Sequence, residues 1–466
     1  MAVAVWFRRD LRLADNQTIA RANELARQSG EAGVMGVFLF DEALVRSLAQ
    51  TARFRRLVGA VRALDDQLQG SLNVLFGDPV ARLAAFVREH EVTTLLYSSD
   101  ISPFANARDR RVDEALSALG VQVMRVDHPT LLPPGSIRTD EGQPYRVFTP
   151  YFRRWRLGVR TVRPVASHLM PFGPGIKDPL PRDLADQGIR VEGELSALAQ
   201  WQSFRKSALS RYAARRDLPA LQGTSRLSWA LHLGVLHPRT LLADLSETDE
   251  VFLSELCWRD FYAEVLMRNP TSTTEPLDRR FRWMVWDEGP RADDRFEAWK
   301  AGMTGYPIVD AGMRQLREEH WMHNRVRMIT ASFLVKDLHI HWARGAAYFM
   351  EMLEDGDVAS NTHGWQWVAG SGTDASPYFR IFNPIRQGER FDPDGDYVRR
   401  YVPELSDRIG KAAHQLNVES AGDLFGATSG RALGEYPHPI VDHAQERAES
   451  LRRFDLMKRE ALRAEQ

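Results

Sequence analysis

Val3-Ala4-Val5-Trp6-Phe7 is a short apolar run, too short for a helix and rich in residues that favour a strand. Similar runs recur at residues 33–40, 72–76, 93–97 and 121–126. Helical patterns fill the intervals. Asn16 suits the cap of a helix through about Arg27. Phe54, Leu57, Val58, Val61, Leu64 and Leu68 mark a second, long helix, and Leu83, Phe86 and Val87 a third. Short apolar strands separated by helices predict a parallel, doubly wound sheet over residues 1–128. No Gly-x-Gly-x-x-Gly follows the first strand and no phosphate-loop motif occurs, so the usual nucleotide fingerprints are missing. Ligands of open parallel sheets sit beyond the strand carboxyl ends. Arg8, Arg9, Asp41 and Asp100 fall there, with caps and salt bridges as the plainer account.

Residues 129–194 carry Pro133-Pro134-Gly135 and Pro171-Phe172-Gly173-Pro174-Gly175, the marks of a long surface connector. Within it, Tyr145-Arg146-Val147-Phe148-Thr149-Pro150-Tyr151-Phe152-Arg153-Arg154-Trp155 reads as a strand leading into a helix. From Leu195 the periodicity is helical almost to the end: Met322, Val326, Ile329 and Phe333 recur at helical spacing. The expected fold is therefore an α/β domain at 1–128, a connector at 129–194 and an all-α domain at 195–466, whose tail from 444 is a charged helix. Ten of the twelve tryptophans lie between Trp201 and Trp367, which sets the helical part apart.

The chain has 466 residues, enough for a sizeable core, and a net charge of −1. Nucleic-acid binding would then need a local basic patch. The single cysteine, Cys257, excludes a disulfide framework and a cysteine-ligated cluster and suits a reducing cytoplasm. Arg8-Arg9 is followed by a polar stretch rather than an apolar export segment, and no apolar run is long enough to span a membrane. No metal is expected. Asp355-x-Asp357 has Ser360 and Gln366 where a calcium loop needs glycine and an acid, and His339-x-His341 has no third ligand at helical spacing, so a surface or capping role is the plainer account.

The chemistry concentrates in the helical part. Asp355-Gly356-Asp357-Val358-Ala359-Ser360-Asn361-Thr362-His363-Gly364-Trp365-Gln366-Trp367 puts carboxylates, amides and indoles close together. Ser360, Thr362 and Gly364 suggest a loop or helix start rather than a helix interior. Such a loop could line the cavity of a large planar cofactor; a solvated turn and core packing are the plainer accounts. Gly223-Thr224-Ser225-Arg226-Leu227-Ser228 offers hydroxyls and N–H groups ahead of a helix, suited to a pyrophosphate or to ordinary capping. Glu255 and Arg259 stand at i, i+4 with Trp258 on the adjacent flank, as one pocket wall or simply as an i, i+4 salt bridge between the two. Arg216, Arg259, Arg325 and Arg380 could make the basic patch, with Trp258 and Trp367 as stacking surfaces; unrelated solvated arginines are the simpler alternative.

Taken together, these residues resemble the cryptochrome/photolyase family, most closely its class I cyclobutane pyrimidine dimer (CPD) photolyases. The resemblance rests on Trp6-Phe7-Arg8-Arg9-Asp10-Leu11-Arg12-Leu13, Val147-Phe148-Thr149-Pro150, Gly223 to Ser228 and Trp258-Arg259-Asp260-Phe261-Tyr262. It continues through Gly305-Tyr306-Pro307-Ile308-Val309-Asp310-Ala311, Trp321-Met322-His323-Asn324-Arg325, Asp355 to Trp367 and Tyr378-Phe379-Arg380-Ile381-Phe382-Asn383-Pro384. It implies a light-driven enzyme that uses reduced FAD to split dimers flipped out of UV-damaged DNA. A cryptochrome-like blue-light sensor and a (6-4) photolyase are the alternatives.

By position, the resemblance assigns Tyr212, Thr224, Ser225, Arg226, Leu227 and Ser228 to the FAD phosphates and ribityl chain. Phe252, Arg327, Asp355, Asp357 and Asn361 would surround its rings, with Arg327 and Asp355 as an ion pair and Asn361 at flavin N5. Phe252 stands where the family has Trp. Glu255, Asn324 and Met328 would contact the dimer, and Trp258 and Trp367 would stack on it. Photolyases for (6-4) lesions have His where this chain has Met328, which favours CPD repair. Arg216, Arg259, Arg325 and Arg380 would meet DNA phosphates. Trp365, Trp342 and Trp286 would relay electrons to FAD, with Trp283 competing for the last place. Asp100-Ile101-Ser102-Pro103-Phe104 and Arg53 are similar to deazaflavin-antenna members, so 8-hydroxy-5-deazaflavin is expected as antenna, ahead of methenyltetrahydrofolate or none. A cytoplasmic monomer is expected.

Overall fold

The computed structural model describes residues 2–31, 33–170, 174–180, 188–373, 379–416 and 436–464. Tyr378 of the last motif lies outside them. The chain divides into two compact units: Met1–Ser210 with Ser225–Pro270 and Glu354–Ala359, and Arg211–Thr224 with Thr271–Leu353 and Ser360–Gln466.

The first unit holds the expected sheet. Its strands are β1 (Ala2–Phe7), β2 (Val34–Asp41), β3 (Asn73–Gly77), β4 (Val92–Tyr97) and β5 (Gln122–Arg125), all parallel, in the order β3-β2-β1-β4-β5. Val5 sits opposite Gly36 on β2 and Leu96 on β4, so the chain changes direction of winding at β1. Nearly all of β1 and all of β2 is buried, as near-continuous apolar runs require. Asn16 caps the helix Gln17–Gln28 by accepting from Ile19 N–H at 3.2 Å. Sequence periodicity missed the short helix Glu42–Leu48, which Asp41 caps.

The connector covers the free edge of β3. Val74 N–H donates to Ile176 and Asp178 N–H to Val74, which satisfies groups an edge strand would leave open. Its helix is Phe148–Gly158, but the strand expected ahead of it does not form. Val147 is extended (φ −121°, ψ 135°) only as the residue that leads into the helix. Asp260, on the helix Glu250–Arg268, ties the connector down by accepting from Leu131 N–H and Trp155 Nε1, both at 2.9 Å. Burial pushes its carboxyl up to about 7, against the pull of Arg259 and the N–H donors.

In the second unit the helices Pro290–Ala301, Pro307–Glu319, Asn324–Ser332, Trp342–Met352 and Val358–Ala369 pack around one core that includes Trp299, Met322, Trp342 and Trp365. The helix Asn324–Ser332 continues into one π turn, Phe333–Asp337. Asp310 of the Gly305–Ala311 motif accepts from Thr304 and Gly305 N–H and from Tyr436, so that motif builds a turn. The expected loop or helix start at these residues is corrected: Ser360 falls in the first turn of the helix Val358–Ala369, but Thr362 and Gly364 lie in its interior. Thr362, Trp365 and Gln366 are buried, and that packing outweighs the weak helix preference of the small residues. The Gln366 amide donates to Ser272 and Glu275 carbonyls and accepts from Leu277 N–H, fixing the helix against residues 272–277.

Candidate functional site

In the first unit the charged residues converge beyond β1 and β4, where winding reverses. Arg9 donates to Asp357 at 2.7 Å and to the His232 carbonyl at 3.0 Å, and lies 3.8 Å from Asp100. Arg53 donates to Gly356 O at 3.1 Å. Asp357 of the flavin set and Arg53 and Asp100 of the antenna set thus share one ionic cluster, joined through Arg9. Burial would raise the Asp357 carboxyl, but His232, 3.7 Å away, and the Arg9 charge hold it well below the usual range. Burial and the neighbouring Arg9 lower Arg53 to about 10. Gly234 makes room here: at φ +67° its absent Cβ would stand 1.9 Å from the Arg9 carbonyl oxygen. Behind the cluster Arg239 grips Asp127 with two bonds of 2.9 and 3.0 Å and Asp15 at 2.9 Å, while Arg12 meets Asp127 at 3.2 Å. Arg8 and Asp41 have the plain roles, a salt bridge to Asp109 and a helix cap.

The hydroxyl run does not serve as an ordinary cap. The short helix Ser228–Leu233 starts at Leu227 with no side-chain hydrogen bond, and Arg226 sits at φ +51°. Thr224 and Ser225 are half-buried, Leu227 is buried, and Arg226 and Ser228 are exposed. Tyr212 is buried, and Gly223 is drawn so close to Arg215 O that a Cβ would lie 2.7 Å from it.

On the helix Glu250–Arg268, Trp258 stacks on Phe148, with ring centroids 3.6 Å apart and planes 4° from parallel. Sequence reasoning quoted Phe148 in a motif without giving it this role. Glu255 is half-buried on the same helix. Phe252 is buried beside Trp201 and Phe204. Arg259 donates to the Pro129 and Leu231 carbonyls, the latter at 2.9 Å, which ties its guanidinium to main chain. Asp355 is buried.

In the second unit Asn361 Nδ2 donates to Ala346 O at 3.0 Å. One turn on, Trp365 lies against Gly345, where a Cβ would come within 2.2 Å of the indole. Gly345 and Trp342 are three residues apart and share one face of their helix. Asn361 and Trp365 thus both pack on the helix that begins with Trp342. Trp286 is half-buried against His341, while Trp283 is exposed. Met328 and Trp367 are half-buried against the same core. Arg325 donates to Asp217 at 3.0 Å and Arg216 lies 4.0 Å from the same carboxylate, so two guanidiniums share one acid. Asn324 and Arg380 are exposed, and Arg327 donates to Met322 O at 2.8 Å. Among the described residues no acid, histidine or cysteine cluster could hold a metal, and no helix is long and apolar enough to cross a membrane.

Two family models match the chain: DNA photolyase at residues 3–169, and the FAD binding domain of DNA photolyase at residues 252–456. A deoxyribodipyrimidine photo-lyase of Halobacterium salinarum is 39% identical over 482 residues, covering 97% of this chain and 98% of that one. The chain belongs to the photolyase/cryptochrome family. A bacterial class III photolyase from Agrobacterium tumefaciens matches with a TM-score of 0.85 at 35% identity, covering 98% of both chains. A Synechocystis cryptochrome matches with the same TM-score at 28% identity, covering 97% of this chain and 98% of that one.

The residues present fit the FAD that the family's domain binds. The uncapped helix start beside Thr224, Ser225 and Ser228 offers N–H and hydroxyl donors of the kind a phosphate needs. The anchored Asn361 amide presents an oxygen suited to a ring N–H. Arg9, read from sequence as a strand-end ligand or salt-bridge residue, pairs with Asp357, and His232 lies 3.7 Å from the same carboxylate; neither was tied to Asp357 because no local spacing links them to it.

Proposed function

We propose that this chain splits cyclobutane pyrimidine dimers in DNA by light-driven electron transfer from reduced FAD. The observation that carries this is the Asn361 amide. Its nitrogen donates to Ala346 O, which supports an accepting role for the amide oxygen toward a ligand. An acceptor opposite flavin N5 favours the protonated, reduced state that repair needs. Bound FAD supplies the photoexcited electron. Tyr212, Thr224, Ser225, Arg226, Leu227 and Ser228 hold its phosphates and ribityl chain, and Phe252, Arg327, Asp355, Asp357 and Asn361 surround its rings. Asp357 serves as a fixed anion, held ionised by Arg9 and His232.

Glu255, Asn324 and Met328 contact the dimer, while Trp258 and Trp367 stack on it. Phe148 covers one face of Trp258, leaving the other for a base. Met328 is a thioether, with no proton to give, which suits a dimer rather than a (6-4) lesion. Arg216, Arg325 and Arg380 meet phosphates; Arg259 acts instead as a clamp on main chain. Trp365, Trp342 and Trp286 form the relay that reduces FAD, and the packing of Trp286 favours it over Trp283. Arg53 and Asp100 border an antenna, 8-hydroxy-5-deazaflavin ahead of methenyltetrahydrofolate or none; one absorption spectrum of the purified protein distinguishes the three. The functional parts are the antenna domain 1–128, the connector 129–194 and the flavin domain 195–466, in a class I cytoplasmic monomer.

Competition binding tests this function. Duplexes carrying a CPD should bind far better than (6-4) or undamaged duplexes. Equal affinity for all three would favour the second reading, a blue-light sensor, which the likeness to the Synechocystis cryptochrome supports.

A further inference from the structure

His341 makes ring contact with two of the three relay tryptophans. Its ring centroid lies 5.2 Å from that of Trp286, edge-on at 75°, and 5.6 Å from that of Trp342, tilted by 31°. The ring cannot rotate freely, because Nδ1 accepts from Ala343 N–H at 3.1 Å and caps the helix Trp342–Met352. That bond leaves the ring proton on Nε2 and the ring neutral. Trp286 is half-buried and Trp342 is buried, so His341 stands at the step from surface to interior.

We propose that His341 is the bridging group of the outer relay step, through which an electron passes from Trp286 to oxidised Trp342. This rests on the tryptophan relay named above. Light-excited oxidised flavin is the oxidant and takes one electron from Trp365. Trp342 refills Trp365, and Trp286 refills Trp342. No heavy-atom bond forms or breaks. Oxidised Trp286 gives its indole proton to solvent, then regains an electron from a thiol in solution and a proton from solvent. Ring atoms packed in contact couple two indoles better than a gap does. The imidazole has to stay neutral, since an imidazolium would set a like charge beside each ring that carries the positive hole.

The surroundings keep it neutral. Burial lowers its proton affinity, and Glu288 on the Trp286 segment pulls weakly the other way. The other charged groups on the adjoining elements are occupied. Asp287 pairs with Arg453 and Arg295, Glu446 with His339 and Arg295, and Arg344 with Asp293. On the π turn, Asp337 pairs with His443 and Lys336 donates to Ala369 O.

Photoreduction of the oxidised holoprotein under blue light with thiol, followed by flavin absorbance across pH, tests this. Wild type should slow at least about tenfold once the ring protonates, below the ordinary histidine range. His341→Asn keeps the cap but removes the ring, so it should be slow at every pH. His341→Phe keeps a ring that cannot titrate, so it should be fast at neutral pH and lose the acid slowing. In the dark holoprotein, the His341 ring protons should resonate upfield under two indole ring currents and titrate below the usual value. Trp342→Phe separates the two proposals. If Trp342→Phe photoreduces at the wild-type rate, the relay itself is wrong. If Trp342→Phe stops photoreduction while His341→Asn matches wild type at every pH, the relay stands and the bridge is overturned.

Discussion

Asn361→Asp changes one atom at the residue that decides between a donor and an acceptor. In the native protein Nδ2 lies 3.0 Å from Ala346 O. An ionised carboxylate there would face oxygen with oxygen. Losing the bond and setting an ionised oxygen against the buried Ala346 carbonyl costs about 1–3 kcal/mol. The variant carboxyl escapes that cost only by keeping its proton and donating it. Its folded pKa should therefore rise about 1–2 units above the unfolded value of roughly 3.9, at about 1.4 kcal/mol per unit. The sign follows from linkage. Below about pH 4 the carboxyl is protonated in both states, and the variant should nearly match wild type. Between about pH 4 and 6 the unfolded chain ionises first, and the variant loses about 1–3 kcal/mol, which then persists to neutral pH. Urea unfolding of both proteins across this range, read by tryptophan fluorescence, measures the difference. A difference that is flat across the range, or as large at pH 3 as at pH 8, would refute the Asn361–Ala346 bond and with it the orientation of the amide oxygen.

Three further outcomes follow from the packing and the charges. Gly345→Ala puts a Cβ 2.2 Å from the Trp365 ring, so it should cost about 1–3 kcal/mol in thermal unfolding and slow flavin photoreduction by displacing the indole. Arg239→Met leaves Asp15 and Asp127 buried without their main partner and should cost about 3–5 kcal/mol in urea unfolding at neutral pH. Asp260, at about 7 when folded, should cost wild type about 4 kcal/mol as pH rises from about 4 to 7, because its unfolded carboxyl ionises first; Asp260→Asn should lack that decline in the same unfolding series.

Much of this was legible in the chain. The strands of the sheet are short apolar runs with no competing period, so β1 to β5 could be placed from sequence to within a residue or two. Asn16 announced its helix because a cap acts locally. The helix Val358–Ala369 was misread because Ser360, Thr362 and Gly364 are poor helix formers taken singly, and only Trp365 and Gln366 packing inward holds them there. Arg9 was marked at the strand end as a ligand-site or salt-bridge residue, but its partner Asp357 was not visible, and His232 and Arg239 had no visible role, since their partners are remote in sequence. Gly345 looked unremarkable in a helical stretch; its value appears only against the indole of Trp365. His341 was weighed as a metal ligand and a cap, and the cap is what forms.

The most direct test of the central claim is a matched pair of incubations of the flavin-reduced protein with an oligonucleotide carrying a single thymine dimer, one under blue light and one in the dark, each read by chromatography of the strand. Light-dependent conversion of the dimer to two thymines, with none in the dark, is the predicted result. A dimer left intact in both, while the strand is bound and the flavin stays reduced, would contradict it.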